Sequence, residues 1–107
     1  MLGAMPYALV AAVLFGLGIF GALARRHAVA ILISIELMLT AVALNFVSFS
    51  RLHPAQEGLS GQVAGQAFAI FIIAVAAAET IVALALVFSL YRSLKTAYVD
   101  RFSLLKW

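Results

Sequence analysis

Three long stretches of this sequence carry almost no charge, and they constrain the fold more than any other feature. The first runs from Met1 to Ala24 with no charged residue, the second from Ala28 to Ser50 with one acid, Glu36, and the third from about Gln62 to Tyr91, again with one acid, Glu79, before its basic end. Each reaches the ~20 residues an α-helix needs to cross a ~30 Å hydrocarbon core. A backbone in lipid must satisfy its own hydrogen bonds, so apolar segments of this length read as helices. The β-branched run Ala69-Ile70-Phe71-Ile72-Ile73-Ala74-Val75-Ala76 does not argue for strands, because a barrel strand would alternate polar and apolar residues.

Composition excludes the alternatives. Hydrophobic residues make up 66% of the 107 residues and charged residues 10%, against about 25% charged in a soluble domain. So short a chain leaves a large share of its surface exposed, so a lone water-soluble globule and a disordered tail are both excluded. There is no cysteine, hence no disulfide, thiolate nucleophile or cysteine-bound metal cluster. Two histidines and four acids are too few for a convincing metal site, and no metal is expected. The basic residues are not interleaved with aromatics on a polar face, so no nucleic-acid partner is expected.

The predicted architecture is all-α: an integral membrane protein of one domain, with helices over about 3–24, 28–50 and 62–91 and a tail over 92–107. Arg25-Arg26-His27 forms a tight connector, and Arg51 to Gly61, with Pro54, Gly58 and Gly61, a longer loop. The first segment has no basic leader and no polar domain follows it, which reads as a retained helix rather than a signal peptide. Arg25, Arg26, Arg92, Lys95, Arg101 and Lys106 fall on one side of the membrane and Arg51 on the other. The positive-inside rule then puts the N-terminus outside and the C-terminus in the cytoplasm. Tyr91, Tyr98 and Trp107 suit an interfacial belt.

Glu36 and Glu79 are the strongest functional candidates. A carboxyl group in a membrane span is expensive and usually faces a bundle interior or a hydrated cavity. At ~1.5 Å per residue, Glu36 lies about 12 Å above Ala28 and Glu79 about 18 Å above Tyr91, so both fall near the midplane. Desolvation disfavours the charged form of a carboxyl group, and a group poised between its two forms can accept and release a proton. The functional reading is a proton pathway; the plainer one is a pair of neutral acids holding helices together.

Helical angles add secondary candidates. Thr40 and Ala43 lie near Glu36, while Ser34, Asn45 and Ser48 lie opposite, so the second helix is expected to be wedged between other helices, which argues for partner subunits. Ser and Thr commonly bond back to their own backbone, which leaves Asn45 as the more notable of these. Gly65, Ala69, Ile72, Ala76 and Ala83 are expected on the same side as Glu79, and Ala4, Ala8, Ala12 and Gly16 form a small-residue stripe on the first helix; such stripes let membrane helices approach closely. Arg25 and Arg26 could pair with a neighbour's acid or simply set topology. His27, His53 and Glu57 read as solvated. Gly16-Leu17-Gly18-Ile19-Phe20-Gly21 matches a dinucleotide-binding pattern, but that pattern needs a preceding strand and here sits inside an apolar span.

Two motifs then resemble a known family. Arg25-Arg26-His27-Ala28-Val29-Ala30-Ile31-Leu32-Ile33-Ser34-Ile35-Glu36-Leu37-Met38-Leu39 is similar to the second-helix motif of subunit K of proton-pumping NADH:quinone oxidoreductase, respiratory complex I. Gly65-Gln66-Ala67-Phe68-Ala69-Ile70-Phe71, continuing to Glu79, is similar to its third-helix motif, and Phe102 to Trp107 to its tail. The resemblance covers nearly the whole chain. It implies three transmembrane helices beside the antiporter-like subunits of the membrane arm, in a bacterial inner membrane. It implies that Glu36 and Glu79 are the family's two intramembrane proton-pathway carboxylates and that Arg25 and Arg26 match its cytoplasmic basic pair; Thr40 and Asn45 remain supporting candidates from the helical angles alone. NADH, flavin, iron–sulfur and quinone chemistry belong to other subunits, so this chain is expected to bind no cofactor and no quinone. The family often has Asn where this chain has Thr40 and Ala43, and Gly where it has Ala83. The sequence thus predicts a non-redox subunit of a proton-translocating oxidoreductase. The alternatives are the small subunit of a multisubunit sodium/proton antiporter and a purely structural assembly subunit.

Overall fold

The computed structural model describes residues 3–52, 59–95 and 98–99, with the side chains of 59–62 left undescribed. His53, Glu57, Trp107 and the tail from Asp100 onward, on which several expectations fell, lie outside these residues. The elements are three helices, α1 (Ala4–Ala24), α2 (Ala28–Ser50) and α3 (Leu59–Leu94). All three are long and apolar enough to cross a membrane. The third is longer than the sequence suggested: it starts at Leu59 and ends at Leu94, so Gly61 and Gln62 belong to the helix and the connector before it is correspondingly short. A single glycine lowers helix stability by ~1 kcal/mol, too little to stop a helix of 36 residues.

Local chemistry sets the helix ends. His27 is the N-cap of α2 in extended backbone, and its Nδ1 accepts a hydrogen bond from the Val29 N–H at 3.3 Å, satisfying one of the unpaired donors of the first turn. That role was not read from the sequence, because His is an uncommon cap. At the far end of α3, Lys95 adopts φ 58° and its N–H donates to the Tyr91 carbonyl at 2.7 Å, the left-handed closure usually given to glycine. Beyond it the chain meets the α1–α2 connector again. The Val99 N–H donates to the Arg26 carbonyl at 2.9 Å, the His27 and Tyr98 rings meet edge to face at 5.9 Å, and the Arg26 guanidinium lies 5.8 Å from the Tyr98 ring centroid. The described basic residues Arg25, Arg26, Arg92 and Lys95 thus share one end of the bundle, and Arg51 lies at the other.

Helix α2 packs between α1 and α3. The helix is wedged between two others as expected, and here both neighbours are this chain's own: Ser34 lies against α1 and Glu36 against α3, while Thr40 is exposed. The buried apolar side chains among the described residues are all alanines: Ala11, Ala41, Ala43, Ala69 and Ala76. Ser34, Ser48 and Ser50 are buried with them, and Ser34, Ser48 and Ser50 donate to carbonyls of their own helix at 2.9, 3.1 and 2.7 Å. The seams are therefore lines of small residues along which backbones come close. The large side chains point outward: Leu23 is 83% exposed, Ile81 69% and Phe20 67%, a distribution suited to lipid or to apolar neighbours.

The α1 seam differs from the expected stripe. Ala11 and Gly18 are buried and Ala4, Ala8, Gly21 and Ala22 half-buried, whereas Ala12 and Gly16 are exposed. A four-residue spacing advances about 400° per step and drifts off one face, while a seam between nearly parallel helices follows ~3.5 residues. Two of the three dinucleotide-like glycines fall on this seam: a Cβ at Gly18 would come 2.8 Å from the Ser34 carbonyl oxygen, and one at Gly21 would collide with the Ser34 side chain, while Gly16 faces outward. The role of Gly18 and Gly21 is close helix packing.

Candidate functional site

The site forms where α2 and α3 cross the middle of the bundle. Glu36 is half-buried on the α3-facing side of α2. Its Oε1 accepts a hydrogen bond from the Thr80 hydroxyl at 2.5 Å. Thr80 Oγ1 also lies 2.9 Å from the Ala76 carbonyl oxygen of its own helix. Glu36 opens onto a cleft of about 180 Å³ lined by Leu39 and Thr40 of α2 and by Ile72, Ile73, Ala76 and Ala77 of α3. That space is ample for water, and Glu36 and Thr40 are the polar residues in its lining.

Thr80 was missed by sequence reasoning, and the reason is angular. The residues of α3 turned toward α2 are Gly65, Ala69, Ile72, Ala76, Thr80, Ala83, Val87 and Leu90, each buried or half-buried. Glu79, expected on this side, is exposed. One residue is 100° of helix, and it takes Glu79 off the seam and puts Thr80 on it. Glu79 instead lines a shallow outer groove of about 370 Å³ with Val75, Ala78, Val82, Ala83 and Leu86. The expectation of comparable depth fits this geometry: Glu36 bonds the neighbour of Glu79, so the two acids lie at nearly one level, on different sides of α3.

The secondary candidates separate. Thr40 is exposed, and its hydroxyl donates to the Glu36 backbone carbonyl at 2.9 Å; it lines the cleft without touching the carboxyl group. Asn45 lies away from the cleft, half-buried, with its Oδ1 buried and lacking a hydrogen-bond partner. Arg25 and Arg26 are exposed at the connector, remote from both acids. Above the cleft, Phe46 and Phe68 stack at 5.7 Å, and Gly65 brings α3 against Ser50.

Comparison with known proteins decides the family. Residues 6–107 match the model of the NADH-ubiquinone/plastoquinone oxidoreductase chain 4L family. The chain belongs to this family. It is 50% identical over 105 residues to the NADH-quinone oxidoreductase subunit K of Desulfitobacterium hafniense, covering 98% of this chain and 96% of that one. It is 46% identical over 107 residues to the NAD(P)H-quinone oxidoreductase subunit 4L of a Synechococcus species, covering all of both chains. It is 48% identical over 103 residues to the subunit K of Bacillus cereus, covering 96% of this chain and 94% of that one. The resemblance drawn from the two glutamate motifs is therefore correct. Membership makes the protein a multi-pass membrane subunit of NADH-quinone oxidoreductase.

Proposed function

We propose that this subunit carries protons through the membrane arm of an NADH:quinone oxidoreductase, with Glu36 and Glu79 as the exchanging groups. The observation that carries the reading is the placement of Glu36: a carboxyl group between two apolar helices, hydrogen-bonded by Thr80 and open to a cleft that admits water. A purely structural role would need neither the opening nor a second acid at the same level. Electron transfer in other subunits drives the exchange; this chain binds no quinone, flavin or cluster and does no redox chemistry itself.

The same reading extends to neighbours and orientation. Glu79 is exposed among Val75, Ala78 and Val82, and a bare carboxyl group facing acyl chains at mid-membrane is costly. Neighbouring membrane-arm subunits, the antiporter-like ones among them, cover that face and continue the polar level beyond this chain. The end bearing Arg25, Arg26, Arg92 and Lys95 faces the cytoplasm and the N-terminus lies outside, in the inner membrane of a bacterium.

The test is Glu36→Gln and Glu79→Gln, each in the assembled enzyme reconstituted into vesicles, with proton uptake measured per NADH oxidised. Each amide keeps the shape and loses the exchangeable charge. Pumping should fall at least several-fold in both; wild-type pumping in both would end the reading.

A further inference from the structure

The Thr80 hydroxyl has one hydrogen and two oxygen neighbours, Glu36 Oε1 at 2.5 Å and the Ala76 carbonyl oxygen at 2.9 Å. It can donate to only one of them at a time. The Ala76 carbonyl already accepts the ordinary helix bond from the Thr80 N–H, so it does not depend on the hydroxyl. Glu36 has no other donor among the described hydrogen bonds: the Thr40 hydroxyl is committed to the Glu36 backbone carbonyl.

We infer that Thr80 is a positioning residue for proton exchange at Glu36, whose hydroxyl reverses its hydrogen bond as Glu36 gains or loses a proton. When Glu36 is ionised, the Thr80 O–H donates to Oε1. When Glu36 takes a proton from water in the cleft, its new O–H donates to Thr80 Oγ1, and the Thr80 hydrogen turns to the Ala76 carbonyl. One proton is added to Glu36 and later leaves it to water; the Thr80 O–H bond neither forms nor breaks. Both forms of the acid stay hydrogen-bonded, and the exchange needs a rotation of one hydrogen rather than a shift of either helix. Bonds to a charged acceptor are about twice as strong as neutral ones, so the hydroxyl matters most for the ionised form. The side chain sits on the α2–α3 seam, which holds it in register with Glu36 through both states.

This inference rests on Glu36 acting as a proton-exchanging group, and the experiment separates the two. Thr80→Val, which keeps the shape, and Thr80→Ser, which keeps the hydroxyl, are introduced into the assembled enzyme alongside Glu36→Gln. Proton pumping per NADH oxidised is measured in vesicles. The carboxyl C=O band of protonated Glu36, recognised by its loss in Glu36→Gln, is followed by infrared difference spectroscopy. If Thr80→Val does not assemble, Thr80→Ala replaces it, since it also lacks the hydroxyl. In the hydroxyl-free variant the Glu36 band should shift and proton pumping per NADH oxidised fall about tenfold, the loss typical of removing one hydrogen bond to a charged group. Thr80→Ser should restore both. An unmoved band in the hydroxyl-free variant, or Thr80→Ser as defective as that variant, would overturn the role of Thr80 while leaving Glu36 in place. Wild-type pumping by Glu36→Gln would overturn proton exchange at Glu36, and this inference with it.

Discussion

Adding one methyl group to α3 at Gly65 should weaken the bundle, while the same change at Gly16 of α1 should not. A Cβ built on Gly65 lies 2.8 Å from the Phe46 carbonyl oxygen, about 0.6 Å inside the 3.4 Å of ordinary contact, and collides with the Ser50 side chain. The first obstacle is backbone, so no rotamer change relieves it; α2 and α3 must move apart. A gap of 0.5–1 Å forfeits about a quarter to a half of each dispersion contact along the seam, and overpacking of this kind costs roughly 1–3 kcal/mol. At Gly16 nothing lies within 4 Å of the added atom. Both positions are helix interiors, so the ~1 kcal/mol gained by replacing glycine with alanine applies to each and cancels between them. The predicted difference between the variants is thus about 1–3 kcal/mol. Changes of that size alter cellular abundance several-fold. The assay is the amount of intact oxidoreductase in membranes, read on native gels for Gly16→Ala and Gly65→Ala. Gly16→Ala should match or exceed the parent, and Gly65→Ala should fall several-fold below Gly16→Ala. Equal amounts would refute the seam geometry, because the steric difference is the one distinction between the two changes that the argument uses.

Two further outcomes follow from the ends and the unpaired polar atom. Tyr98→Ala removes an aromatic pair worth ~0.5–1.5 kcal/mol and a cation–π contact worth ~0.5–1 kcal/mol at an exposed site; amide exchange at Val99 should accelerate at least several-fold, and Tyr98→Phe, which keeps the ring, should leave it near the parent rate. Asn45→Leu replaces a side chain whose buried Oδ1 has no partner with an apolar one of similar size, so enzyme abundance should hold or rise and pumping should be unchanged; a fall in pumping would mean that Asn45 takes part in proton movement.

The sequence conveyed the helices because their signal is local: three apolar runs with almost no charge and turn residues between them. It conveyed Glu36 because an acid in such a run has few structural reasons to be there. What it could not convey was phase. Reading α3 outward from Glu79 put Gly65, Ala69, Ile72, Ala76 and Ala83 on its side, and the small residues do face α2, but the polar residue on that line is Thr80. The distinction is 100° of rotation, and an apolar helix without a polar face gives little to fix it. The α1 stripe failed for a related reason, since a four-residue repeat and a 3.5-residue seam coincide at Ala4 and Ala8 and part at Ala12. The junction of Arg26, His27, Tyr98 and Val99 joins segments far apart in sequence and was not visible from either one. Thr40 behaved as its type predicts, bonding its own helix.

The two acids, so alike in the sequence, occupy unlike surroundings. Glu36 has its hydrogen-bond donor within the chain and faces a cleft between two of its own helices. Glu79 has its apolar neighbours within the chain and is open to whatever lies outside. Insertion scales put an intramembrane charged residue at about 2.5–3.5 kcal/mol, so an uncovered, ionised Glu79 would oppose the chain's own insertion. On the proposed function, neighbouring subunits that cover Glu79 remove that cost on assembly. On the same function this division has a mechanical consequence. Because Glu36 and Glu79 sit at one level on different sides of α3, a proton passing between them travels sideways, parallel to the membrane plane, rather than along the helix. The close-packed α2–α3 seam on either side of that level then serves as insulation, and the direction of net transport across the membrane is set by the neighbours that Glu79 meets.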